Sequence, residues 1–168
     1  QQHHGMPTRL LDWTTNALAA LFFAVSQDIN KDKDGALYQL DAYNFAESQG
    51  VTDKFTGVLS SHEPLLYDFL DPIFEWRTPD DFPDYILPVL PDFSTYRIRF
   101  QRGCFTFHVP KRKGITKAEN STLKKFIIPK DRKEFIRNEL YFLGIDEFQI
   151  YGDLENLSKR LKRAYKIC

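Results

Sequence analysis

The spacing of apolar residues changes along the chain, and each change marks an expected element. Thr8 to Thr14 reads as a short extended segment, with Thr8, Leu10, Asp12 and Thr14 on one face and Arg9, Leu11 and Trp13 on the other. Directly after it Leu18, Leu21, Phe22 and Val25 follow the i, i+3, i+4, i+7 rule. With Asn16 at the N-cap, this predicts a helix over Ala17 to Gln27. A charged turn at Lys31 to Gly35 leads into a strand at Ala36 to Leu40, expected to return beside the first. Farther on, Tyr96, Ile98 and Phe100 alternate with Arg97, Arg99 and Gln101. Past Gly103 the alternation resumes at Phe105, Phe107 and Val109, which predicts two strands or one bulged strand. Thr122 to Ile128 reads as a further strand, stopped by Pro129. Asp131 and Glu134 make a capping-box start for a helix carrying Ile136, Leu140 and Leu143 on one side and ending at Gly144. Asp153 caps a last helix in which Leu154, Leu157, Leu161 and Ala164 recur at helical spacing, while Lys159, Arg160, Lys162 and Arg163 cover the remainder.

Between Asp41 and Ser94 the pattern degrades. Pro64, Pro72, Pro79, Pro83, Pro88 and Pro91 interrupt aromatic clusters, so loops, short helices and one strand at Tyr85 to Leu90 are expected. No internal repeat or low-complexity tract occurs. The balance of strands and helices is α+β, with small mixed or antiparallel sheets packed against helices.

Composition narrows the class. A length of 168 residues fits a single domain, in which 41–94 reads as an acidic, Pro- and aromatic-rich insertion. The longest apolar run, Ala17 to Val25, is half the roughly 18 residues that cross a bilayer, so no membrane partner is expected. Cys104 and Cys168 match neither a disulfide framework nor a metal-ligand spacing, which points to a reducing, cytoplasmic setting. The formal net charge of zero hides a division: residues 41–94 hold eleven acidic side chains against two basic, and residues 95–168 hold eighteen basic against eight acidic. A basic half of this kind faces nucleic acid, a phosphate-bearing ligand or an acidic protein partner, or is covered by the acidic half.

Three groups of residues offer chemistry, each with a structural alternative. Asp12, Trp13, Thr14, Thr15 and Asn16 place a carboxylate, hydroxyls and free amides where a strand feeds a helix, a place that attracts phosphate and carboxylate groups. In the other reading Thr15 and Asn16 cap the helix, Asp12 pairs with Arg9 and Trp13 is core. His3 and His4 can act as acid, base or donor, or lie on the surface; no third ligand nearby supports a metal. Arg97, Arg99 and Gln101 on one strand face, followed by Arg102 and Gly103, make either an anion-binding stripe beside a close backbone approach or a solvated face ending at a bulge. His62 and His108 stand isolated. Cys104 has no partner constellation for nucleophilic catalysis.

The opening stretch "QHHGMPTRLLDWTTNALAALFFAV" resembles the most distinctive segment of the FRG domain, a mainly prokaryotic family named for an N-terminal (F/Y)-R-G motif. "RIRFQRGCF" is similar to the family's Arg-x-x-x-Gln-x-Gly-x-Phe strand, and "LYFLGIDEFQIYGDLENL" to its closing Leu-Gly-Ile and Asp-Leu helical stretch. The resemblance implies that the (F/Y)-R-G segment lies upstream of Gln1. It invites a further comparison with ADP-ribosyltransferases, which implies a split β-sandwich with NAD between two sheets and a place in a toxin or phage-defence protein. On that comparison His3, His4, Arg9, Asp12, Trp13, Thr14, Thr15, Asn16 and Gly103 form the nucleotide-binding set. Gln101, Thr14 and His4 take the catalytic positions, and the pyrophosphate lies near Asn16. Gln101 falls where those enzymes carry a catalytic Glu, and an amide bonds a ribose hydroxyl but lacks the carboxylate's charge. The alternative is a non-catalytic module that binds nucleic acid or an acidic protein through Lys111 to Lys113, Lys124, Lys125 and Lys159 to Arg163.

Overall fold

The computed structural model describes residues 9–26, 30–49, 57–74, 85–92, 95–108, 115 and 122–165. In chain order the elements are β1 (Leu10–Thr14), α1 (Ala17–Ser26), β2 (Gly35–Leu40), α2 (Ala42–Ser48), β3 (Leu59–Ser60), α3 (Pro64–Phe74) and β4 (Ile86–Leu90). There follow α4 (Tyr96–Gln101), β5 (Gly103–His108), β6 (Leu123–Ile128), a 3-10 turn at Lys130–Arg132, α5 (Lys133–Phe142), α6 (Glu147–Tyr151) and α7 (Leu154–Tyr165). The class is α+β, with a four-stranded mixed sheet in the order β1-β5-β4-β3 and a two-stranded sheet of β2 and β6.

These elements fall into two compact units. The first draws on the described residues of Gln1–Trp13, Gln39–Asp92 and Cys104–Lys124, and the second on those of Thr14–Tyr38, Phe93–Gly103 and Lys125–Cys168. The sequence stretches of the first hold thirteen acidic and eight basic residues, those of the second ten acidic and fifteen basic, so the charge division of the chain survives as an acidic and a basic unit.

The acidic unit is built on β4. Its run "ILPVL" is buried from Ile86 to Val89, as an apolar run without alternation requires of a strand covered on both faces. β4 pairs antiparallel with β5, Leu87 opposite Phe107 and Pro88 opposite Thr106, and parallel with β3, Leu59 opposite Val89. Leu59, Leu66, Leu87, Val89 and Phe107 form the core, with Leu10 of β1 packed against it. Asp41 caps α2, accepting the Asn44 amide at 3.2 Å, and Gln49 just beyond that helix accepts the Ile86 amide at 3.2 Å.

The basic unit is built on α1. Ala19, Phe22 and Val25 are buried with Ile128 of β6, Leu140 of α5 and Ile150 of α6. The buried stripe is thus rotated from the expected one, and Leu18 is exposed; a helix apolar on nearly every side leaves its periodicity unable to choose the face. Asn16 caps α1 as expected, its Oδ1 accepting the amides of Leu18 at 3.0 Å and Ala19 at 3.4 Å. At the other end Arg137 Nη2 donates to the Val25 carbonyl at 2.7 Å, supplying a cation where α1 leaves its carbonyls unpaired. α5 ends at Gly144 in a Schellman motif: Ile145 N bonds to Leu140 O at 2.8 Å, Gly144 N to Tyr141 O at 3.0 Å, and Gly144 takes φ +81.

Three expectations are corrected. Residues 96–101 form a helix, not a strand: Thr95 caps it by accepting the Ile98 amide at 3.3 Å, and Arg97, Ile98, Phe100 and Gln101 are half-buried at helical spacing while Tyr96 and Arg99 are exposed. β2 pairs with β6 and not with β1, because β6 delivers Ile128 to the α1 core. The capping box at Asp131 and Glu134 does not form; a 3-10 turn precedes α5 and Arg132 stands at its N-cap without a side-chain bond. α7 forms as expected and Asp153 caps it, but none of its residues is buried.

Candidate functional site

Thr14 ends β1, and its hydroxyl is committed within the basic unit. It donates to the main-chain carbonyl of Gln101 at 2.5 Å and accepts the amide of Asn16 at 2.9 Å. Thr15 extends the tie, its amide donating to the Arg102 carbonyl at 3.1 Å. The tip of β1 and residue 101 therefore meet, through the main chain of Gln101.

That same geometry engages much of the start of α1. The amides of Asn16, Leu18 and Ala19 already bond to Thr14 and Asn16 side-chain oxygens. A pyrophosphate near Asn16 would compete with the chain's own capping oxygens for these three amides.

Two buried side-chain nitrogens lie one turn apart on α4. Gln101 Nε2 and Arg97 Nε are both buried, and neither has a hydrogen-bond partner among the described residues. At i and i+4 they share one helix face, whereas Arg99, two residues from each, faces solvent. The strand stripe of Arg97, Arg99 and Gln101 is thus replaced by a pair. The Arg97 guanidinium lies 5.4 Å from the Tyr151 ring centroid, within cation–π range, which fixes it against α6. Buried nitrogen donors without acceptors are uncommon in folded proteins.

Gly152 makes this arrangement possible. It takes φ +68 at the end of α6, and a Cβ there would stand 2.6 Å from the Phe100 ring of α4. Only glycine lets α4 lie this close with Arg97 and Gln101 turned inward. At the C-cap of α4 the left-handed residue is Arg102, at φ 46, not Gly103. A Cβ on Gly103 would meet Ile98 no nearer than 3.8 Å, so the close backbone approach expected there is not required by the fold.

Other expected residues belong to the acidic unit. Asp12 and Arg9 are exposed, the Arg9 carbonyl accepting the His108 amide at 2.8 Å. The Trp13 indole donates to Thr106 Oγ1 at 3.1 Å, and that hydroxyl, on a residue 1% exposed, lies 3.1 Å from His108 Nε2. His108 is therefore tied into a chain of polar contacts, which its isolation in sequence did not reveal. Burial raises the Cys104 thiol above its usual range, which favours its protonated form near neutrality. His3, His4 and Lys111 to Lys113 lie outside the described residues. No helix among the described residues is long and apolar enough to cross a membrane.

The segment that supplies Thr14, Asn16 and α1 is the one that comparison with known proteins identifies. The FRG domain family model matches residues 1–33. The FRG match covers β1, its turn and α1, and stops short of α4; the two later stretches read as FRG-like lie outside it. Neither the curated proteins nor the solved structures give a match.

Proposed function

We propose that the basic unit binds a nucleotide of the NAD class at the inward face of α4, and that it binds without transferring ADP-ribose. The observation that carries this reading is the pair of buried donors, Arg97 Nε and Gln101 Nε2, one turn apart and both without acceptors. A phosphate oxygen suits Arg97, because its guanidinium stays charged at any physiological pH, and a ribose hydroxyl oxygen suits the Gln101 amide. Thr14 acts as a positioning residue, anchoring the carbonyl of Gln101.

NAD, when bound, supplies a nicotinamide–ribose bond whose cleavage builds positive charge on the sugar. A neutral amide at position 101 offers no countercharge to that build-up, so the pair is suited to holding the nucleotide. Isothermal titration of the whole protein with NAD and with ADP-ribose tests the reading. Saturable heat with either, lost in Gln101→Met and in Arg97→Met, is expected. Absence of binding by both ligands removes it.

A further inference from the structure

A second cluster lies apart from the α4 pair. Tyr141 of α5, Asp146 and Glu147 at the start of α6, and Lys159, Arg160 and Arg163 of α7 line a cavity of about 130 Å³, all within the basic unit. Asp146 is 5% exposed and doubly held: its Oδ1 accepts the Gln149 amide at 2.9 Å and its Oδ2 lies 3.2 Å from Arg160 Nε. A carboxylate fixed in this way aims Arg160, whose guanidinium also rests 5.8 Å from the Phe148 ring centroid. With Nε engaged, its two terminal nitrogens have no acceptor among the described residues. Arg163 lies 5.0 Å from the Tyr141 ring centroid and meets no carboxylate there. Lys159 differs, being paired with Glu155 at 2.7 Å one turn away.

Two guanidinium groups braced on aromatic rings, with unspent donors, suit a tetrahedral oxyanion better than a point charge. The cavity holds about four waters' share of liquid volume, enough for such an ion. Glu147 stands in the same lining and opposes an anion. We infer that this cavity holds a phosphate group, gripped by Arg163 and the outer nitrogens of Arg160, with Glu147 limiting its affinity. The inference is independent of the nucleotide reading, since no residue is shared.

The test is a titration of the whole protein with inorganic phosphate, following the Arg Nε–H resonances in nitrogen-15 spectra against chloride at equal ionic strength. Saturable shifts at Arg160 and Arg163 with phosphate alone are expected. Arg163→Met should weaken binding about tenfold, the loss of one charged hydrogen-bonding partner, and Glu147→Gln should tighten it. A parallel titration with a single-stranded oligonucleotide identifies the source: binding whose salt dependence flattens in Arg163→Met assigns the phosphate to a nucleic-acid backbone, and phosphate binding without it assigns a small phosphorylated molecule. Equal shifts with chloride, or unchanged affinity in both variants, overturn the inference, and so does weaker binding in Glu147→Gln.

Discussion

The acidic and basic units differ in how many interior polar groups are left over among their described residues. In the acidic unit the indole of Trp13, the hydroxyl of Thr106 and the ring of His108 meet one another, and the Ser61 hydroxyl is the buried side-chain group left over among the described residues. In the basic unit the Ser26 hydroxyl and two nitrogens on one face of the six-residue α4 are among the buried side-chain groups left over among the described residues. An unmade hydrogen bond costs the desolvation of its donor and returns nothing to the fold. Under the proposed function, this difference separates a unit whose polar interior serves stability from one that keeps donors for a ligand.

The largest expected effect falls on the support of the Arg97 and Gln101 pair. Gly152→Ala meets both a left-handed backbone and the Phe100 ring, and should destabilise the basic unit by about 2–4 kcal/mol in denaturant unfolding. A change within experimental error would mean that α4 does not pack on α6 as described. Next comes the direct comparison of the two units. Thr106→Val strips the acceptor from Trp13 and should cost about 1–3 kcal/mol, whereas Gln101→Met removes a donor that has no partner and should be neutral or stabilising by up to about 1 kcal/mol. If the two variants lose equal stability, the contrast fails.

Smaller effects sharpen the picture. Arg102→Gly relieves a left-handed non-glycine residue at the end of α4 and should gain about 0.5–1 kcal/mol, read as a raised midpoint. In the acidic unit the Asp41 carboxylate is held below its usual range, chiefly by the Asn44 amide and then by the Asn44 side chain. A depressed value means that this stabilisation is present above the unfolded carboxylate's pKa and fades as pH falls through the folded one. Asp41→Ala should therefore lower the Tm at neutral pH, and its gap to the parent protein should close on acidification. A gap that widens in acid would contradict the capping role.

Much of this fold is legible in the residues themselves. Asn16 and Asp153 announce the helices they cap, Gly144 announces the end of α5, and the apolar run at Tyr85 to Leu90 announces a buried strand. Alternation misled at Tyr96 to Gln101, because three apolar residues two apart occupy a strand face and a short half-buried helix equally well. Thr95, which sets the cap, was the signal that separates the two. Pairings made across long stretches of chain were out of reach: nothing local shows that Gly152 faces Phe100, that β2 seeks β6, or that Trp13 reaches Thr106. The candidate site was half visible. Thr14 and Gln101 stood out, but the face that matters on α4 appears only once the helix turns Arg97, not Arg99, beside Gln101.

Thermal unfolding of the parent protein and of Gln101→Met, each with and without NAD, probes the account most directly. Without ligand the variant should melt at or above the parent; with NAD the parent's Tm should climb by mass action while the variant's stays put. A variant that melts lower without ligand, or that climbs with NAD as far as the parent, would show that the amide of Gln101 already has its partner inside the fold.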